Sequence, residues 1–595
     1  MESPASKSQP FQWFEQTFAR LEESWNAIQV GRQGSYSVER LESFDHYCKT
    51  TSRVRVISVC VLTPVPPLVT IVLLECMPLR PPSDGWAANW VFWIRLAMVA
   101  FIMAFSGTSQ MVTLVPDMNL TFIRNQLVAC LHTILYIGGL LLVAEFVAFP
   151  IPLMLYVGAA FKAIFVPVAI ILVFGKQTFS PNAPWHQNLQ QHMSYFRAYM
   201  VLSNIYPLYK VMYGFLPVAF RGIVVFVMPI WRLGAKCFVV RAIRSLEDFM
   251  PGIVAMTVDF FTTLFASVCL STAGSVYLSM LFVGVDVGQS LLEFREVRAN
   301  ASVVFELPRD RHASSEHLQG GSYRRTSSRS FTNNPKASNL IALVLAVTRD
   351  PTSFHIASLE NVRLRACFPH PLSKEQEAAL QILGETNIYA TSQRLQMSKQ
   401  RWSLHVPRRI RVKGATIAPT TSNIITTTST NTEEANTTFS PVEVFSATLK
   451  HNAASGKRSK ALVQQSLALL FHCEYLVLVE YVECIVPLIY LIFKLALENL
   501  PNVVFYPGGA GNFGPEAALS IFVFALLEIG SLILLNIFIE RKFDYSPLYQ
   551  LAFVLETQVY LVQPMLFVNT VFLLQYELEH YGKVSTNRQW SVFIH

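Results

Sequence analysis

Apolar runs long enough to cross a bilayer dominate this chain, and they fall into two sets. One set lies between residues 54 and 287 and the other between 460 and 576, with a long polar stretch between them. A run of about 20 apolar residues spans ~30 Å of hydrocarbon as an α-helix, which satisfies its own backbone hydrogen bonds where no water is present. The chain therefore reads as an all-α polytopic membrane protein, multi-pass and integral. Composition agrees. Charged residues make up 14% of the 595, against roughly 25% in a soluble domain, and mean hydropathy is +0.37.

The first set reads as about six spans within 54–287. Residues 54–78 form the first, and Pro64, Pro66 and Pro67 should kink or break it. Residues 86–115, 126–149 and 151–174 follow. The stretch 195–245 is apolar but punctuated by Lys210, Arg221, Arg232 and Lys236. It reads as one span with amphipathic interfacial helices, two spans being the other option. Residues 251–287 close the set. The second set, 460–576, reads as three spans, at 467–497, 516–540 and 547–576, before a tail at 577–595. Residues 1–53 form an N-terminal region in which Phe11, Phe14, Phe18, Leu21, Trp25 and Ile28 share one helical face.

Charge orients the array. Residues 290–464 carry 23 Lys+Arg and 13 Asp+Glu, more than the whole chain's net +8. A basic polar loop, 288–459, is expected on the cytoplasmic side, together with the N-terminus. Gly320–Lys336 and Thr416–Thr438 have the composition of disordered segments. Asn339–Val347 is patterned as a strand or short helix, and Lys374–Leu383 as a helix. Basic clusters such as Arg408, Arg409, Arg411 and Lys413 lack interleaved aromatics, so anionic lipid headgroups are the expected partners and nucleic acid is not. Arg324-Arg325-Thr326-Ser327 fits a basophilic kinase pattern and makes Ser327 a candidate phosphorylation site.

The polar residues inside the second set carry the functional reading. An ionisable group at the centre of a bilayer costs roughly 2.5–3.5 kcal/mol, so it is usually turned inward. Glu480, Glu483 and Lys494 fall on one face of the first span, Glu528 sits in the middle of the next, and Glu556 and Gln563 recur seven apart in the last. These six form a candidate intramembrane polar site for protons or cations, or else a set of interhelical contacts that fix packing. Arg95, Glu145, Lys162 and Asp259 offer opposite charges in the first set. No catalytic, cofactor or metal motif is found. Gly508-Gly509-Ala510-Gly511 lacks the Lys-Ser/Thr of a phosphate loop, and the nine cysteines contain no C-x-x-C.

Tyr36-Ser37-Val38-Glu39-Arg40-Leu41, Leu62-Thr63-Pro64, Gly85-Trp86, Glu480-Tyr481-Val482-Glu483 and Leu551-Ala552-Phe553-Val554-Leu555-Glu556 resemble segments of a family of uncharacterised multi-pass membrane proteins from oomycetes (water moulds). The resemblance covers both membrane sets and not the loop. It implies an architecture and carries no catalytic residues. The expected function is solute or ion transport, or its regulation, through intramembrane carboxylates. The alternative is a membrane scaffold or receptor-like protein acting through the cytoplasmic loop. An enzyme is not expected, and no inverted repeat links the two sets.

Overall fold

A computed structural model of the chain describes residues 29–582, apart from 119, 216–220, 273–279, 299–339, 360, 369, 387, 390–440 and scattered positions of 282–297. The N-terminal amphipathic face, Ser327 and the two low-complexity segments of the loop lie outside the described residues. Within them the chain is helical, with no strand. A short capped helix, α1 (Val38–Thr50), precedes the first apolar one. Next come α2 (Arg53–Glu75), α3 (Trp90–Leu114), α4 (Phe122–Phe146) and α5 (Met154–Phe174). Two more polar helices follow, α6 (His186–Phe215) and α7 (Arg221–Ala242), and then α8 (Glu247–Ser271). After the loop helices α9 (Leu340–Arg349) and α10 (Lys374–Glu385) come α11 (Gly456–Glu498) and α12 (Pro515–Phe543). The chain ends in α13 (Pro547–Thr557) and α14 (Val559–Gln575).

Seven of these helices, α2–α5, α8, α11 and α12, are long and apolar enough to cross a membrane, and α13–α14 would make an eighth if counted as one broken span. The protein is thus an integral membrane protein of the multi-pass helical class. Helix starts follow local chemistry. Ser37, Ser52 and Thr121 each accept a hydrogen bond from the backbone N–H three residues on, at the heads of α1, α2 and α4. Ser373 and Gln376 form a reciprocal capping box on α10.

The two sets are separate in sequence and interleaved in space. α11 packs against α2, α8 and α12, while α14 packs against α2 and α3. Of the most apolar stretch of α8 and of α11, 89% is buried, against 17% for α5 and 28% for α12. The first pair is the core and the second the rim. The rim exposes Ile164 and Leu172 on α5 and Leu519 and Leu534 on α12, the apolar surface that hydrocarbon solvates. One end of the bundle, the loop face, carries α1, α9, α10 and α13. The other, the turn face, carries the connections at 76–89, 147–153 and 499–514.

Prolines break α2 at Thr63–Pro64, between helices Arg53–Leu62 and Val65–Glu75. A proline cannot donate to the carbonyl four residues back, so Pro64 frees that of Cys60 and Pro67 that of Thr63. Helices of the second set fill both vacancies. The Tyr481 hydroxyl of α11 donates to Cys60 O at 2.8 Å, and Gln563 Nε2 of α14 donates to Thr63 O at 2.9 Å. Tyr481→Phe and Gln563→Leu should each destabilise the protein by about 1–3 kcal/mol by leaving a carbonyl unmet. The unfolding midpoint of the detergent-solubilised protein measures this, and unchanged midpoints for both variants would refute the docking role.

The apolar run 547–576 is two helices meeting at 86°. No proline marks the bend. Gln558 leaves the helical region there, and α13 lies across the loop face with Leu551, Phe553 and Leu555 buried.

Candidate functional site

α11 runs through the centre of the bundle, and the one-turn spacing of Glu480 and Glu483 puts both carboxylates on the face it turns to α12. Glu528, at the midpoint of α12, meets them there. One carboxylate oxygen from each of the three lies within 4.8 Å of the others, and all three side chains are buried. Carboxylates this close, away from water, repel one another, and a proton or a counter-cation shared among them relieves the repulsion.

Cations reach the cluster from the other side. Arg232 on α7 donates through Nη2 to Glu483 Oε1 at 2.5 Å and through Nε to Asp259 Oδ1 at 2.7 Å. Lys236, one turn on, reaches Asp259 Oδ1 at 3.0 Å and lies 5.3 Å over the Tyr475 ring. Asp259 is positioned by a local departure from α-geometry: Ala255–Asp259 is a π-helical turn within α8. Such a turn rotates the residues after it relative to those before and is often found at functional sites. Asn569 of α14 donates to the Met256 carbonyl in this turn at 2.6 Å. Among the described residues the site brings together Glu480, Glu483, Glu528 and Asp259 with Arg232 and Lys236.

The other residues singled out from the sequence lie elsewhere. Glu556 is at the loop face, 2.9 Å from Arg55 and accepting from the Tyr47 hydroxyl at 2.5 Å. Gln563 serves the broken α2. Lys494 is near the turn face, 3.6 Å from Glu577. Two of the three acidic faces of the second set therefore converge, and the third turns to α2. In the first set Arg95 pairs with Glu75, and Glu145 accepts from the Trp86 indole at 2.7 Å. The link from Arg232 to Glu483 had no sequence signal, because the partners stand 251 positions apart.

A second buried ionic network closes the loop face. Arg40 of α1 holds both oxygens of Glu474 at 2.8 and 2.9 Å and donates to the Asp248 carbonyl at 2.8 Å. The Tyr36 hydroxyl also donates to Glu474. Arg363, from the segment between α9 and α10, grips Asp248 through two bonds, at 2.9 and 3.1 Å. Glu39 accepts from the backbone N–H groups of Ala366 and His370, each at 3.0 Å. Part of the basic loop is thereby built into the fold. Burial there pushes the Cys367 thiol up to about 12, and burial with Arg40 nearby pushes His370 down to about 3.

No family model, curated protein or solved structure matches this chain.

Proposed function

We propose that the protein exchanges a cation for protons across its membrane through the carboxylate cluster of α11 and α12. The observation that carries this reading is the mutual approach of Glu480, Glu483 and Glu528 within 4.8 Å in the bundle core. Three buried carboxylates within 4.8 Å of one another repel in a low-dielectric site. A shared proton or a bound cation relieves that repulsion, and exchange between the two is the chemistry of a coupled carrier. Oxygen-only ligands favour hard cations such as Na⁺, Ca²⁺ or Mn²⁺ over soft ones. Arg232 and Lys236 supply an internal counter-charge that can hold Asp259 and Glu483 when the cluster is empty. The N-terminus and the basic loop are read as cytoplasmic, on the asymmetry of Lys and Arg.

The test uses the full-length protein in liposomes with an enclosed pH-sensitive dye. Gradients of Na⁺, K⁺, Ca²⁺ and Mn²⁺ are imposed in turn. At least one should drive proton movement, Glu528→Gln and Glu480→Gln should abolish it, and Glu556→Gln should leave it intact. A folded protein that moves protons with none of these cations would overturn transport and leave the membrane-scaffold reading in its place.

A further inference from the structure

Among the described residues, most buried or half-buried cations in the membrane-spanning part have an acid beside them. Arg95 has Glu75, Arg232 has Asp259 and Glu483, Lys236 has Asp259, and Lys494 has Glu577. Lys162 on α5 is different. Its ammonium points at the Met103 sulfur, 3.3 Å away, and lies 5.1 Å from the Phe572 ring centre and 5.7 Å from that of Tyr136. Among the described residues no carboxylate lies within ion-pair distance of it. Sulfur and π-faces replace only part of the hydration an ammonium loses.

The ammonium lines a narrow, partly open cleft among α3, α4, α5 and α14. Its other walls include Leu96, Val99, Leu155 and Val571, with two phenols, Tyr136 and Tyr581. Gly158, one turn before Lys162, lets the Tyr136 phenol come close to α5; a Cβ there would sit 2.4 Å from the hydroxyl. The cleft is thus apolar with one cation, and no acid lines it.

We propose that this cleft binds a long-chain fatty acid, with its carboxylate on Lys162 and its alkyl chain along the apolar walls. Charge complementarity requires an anion, and the walls require an apolar body. Depth selects a single chain. Lys162 lies eight residues past Met154 at the head of α5, about 12 Å along the helix. The head of a two-chain phospholipid is held at the interface, whereas a free carboxylate on one flexible chain can descend to that level. The inference is independent of the carboxylate cluster, which is formed by other helices.

The experiment is equilibrium binding of radiolabelled oleate to the full-length protein in phosphatidylcholine nanodiscs. Saturable binding is expected. Lys162→Met should weaken it by at least about tenfold, the loss of one charge-assisted hydrogen bond, and Lys162→Arg should retain it. Methyl oleate should not compete, and phosphatidic acid should compete poorly. Equal competition by the methyl ester, stronger competition by phosphatidic acid, or unchanged binding by Lys162→Met would each overturn the proposal. If Lys162→Met does not fold, oleate should still raise the unfolding midpoint of the wild-type protein where methyl oleate does not, and no rise would count against it equally.

Discussion

Replacing Arg232 by methionine is expected to be among the most damaging single changes in the membrane-spanning part of the protein, with a loss of about 3–5 kcal/mol. Methionine keeps the bulk of the side chain's stem and removes the fork. Asp259 retains Lys236 at 3.0 Å, but Glu483 loses its Arg232 bond and stays buried beside Glu480 and Glu528. The damage is electrostatic, so a second neutralisation should repair part of it. Glu483→Gln on the Arg232→Met background should recover a substantial share of the lost stability, although each single change is destabilising. Unfolding midpoints of the four proteins in one detergent give the coupling directly. A midpoint for Arg232→Met equal to that of the wild type would mean that the fork contributes nothing, and simple additivity would mean that Arg232 and Glu483 do not act as a pair.

The features legible in the sequence are those that depend on local pattern. Length and apolarity placed α2–α5, α8, α11 and α12, and three prolines foretold the break in α2. Residues 339–347, ambiguous between strand and helix, lie mainly in α9, and 374–383 lie within α10. The bend at Gln558 was not legible, because nothing in the run from Leu551 to Leu566 distinguishes a helix lying across the bundle end from one crossing it. The buried contacts beneath α13, with α1 and α11, decide that. In the site, periodicity could put Glu480 and Glu483 on one face of α11. It could not say whether Glu528 or Glu556 met that face. The outcome turned on the bend at Gln558, which leaves Glu556 on α13 at the loop face, where it pairs with Arg55. Lys162 looked like one of several pairable charges. Its lack of an acid among the described residues is a property of packing, visible only once the neighbouring helices are in place.

The second large effect is expected at the loop face, for Arg40→Met. Arg40 binds two oxygens of Glu474 and the Asp248 carbonyl, and its guanidinium lies 5.1 Å from the Tyr36 ring centre and 5.7 Å from that of Phe553. Its removal strands a fully buried carboxylate and should cost about 3–5 kcal/mol. The segment 351–389 should become protease-sensitive at the same time, since Arg363 and Glu39 hold it to the same cluster. Gly456→Ala separates the two consequences. A Cβ there would lie 2.2 Å from the His355 carbonyl oxygen, so the segment must shift while every charged group of the cluster is kept. Gly456→Ala should therefore expose the segment to protease with a much smaller loss of midpoint. Acid should act in the same direction. His370 is held down to about 3 in the fold, below its unfolded value of ~6.5. Its neutral form therefore contributes stability that is complete above ~6.5 and is lost as pH falls towards 3, about 2 kcal/mol of it by pH 5. Arg40, Glu39 and Asp248 face it from α1 and α8. Because Asp248 opens the helix that carries Asp259, loosening this clamp also frees the base of the helix that presents a carboxylate to Arg232 and Lys236. A segment that resists protease equally at pH 5 and pH 7.5, and equally in Arg40→Met and the wild type, would show that the clamp holds nothing.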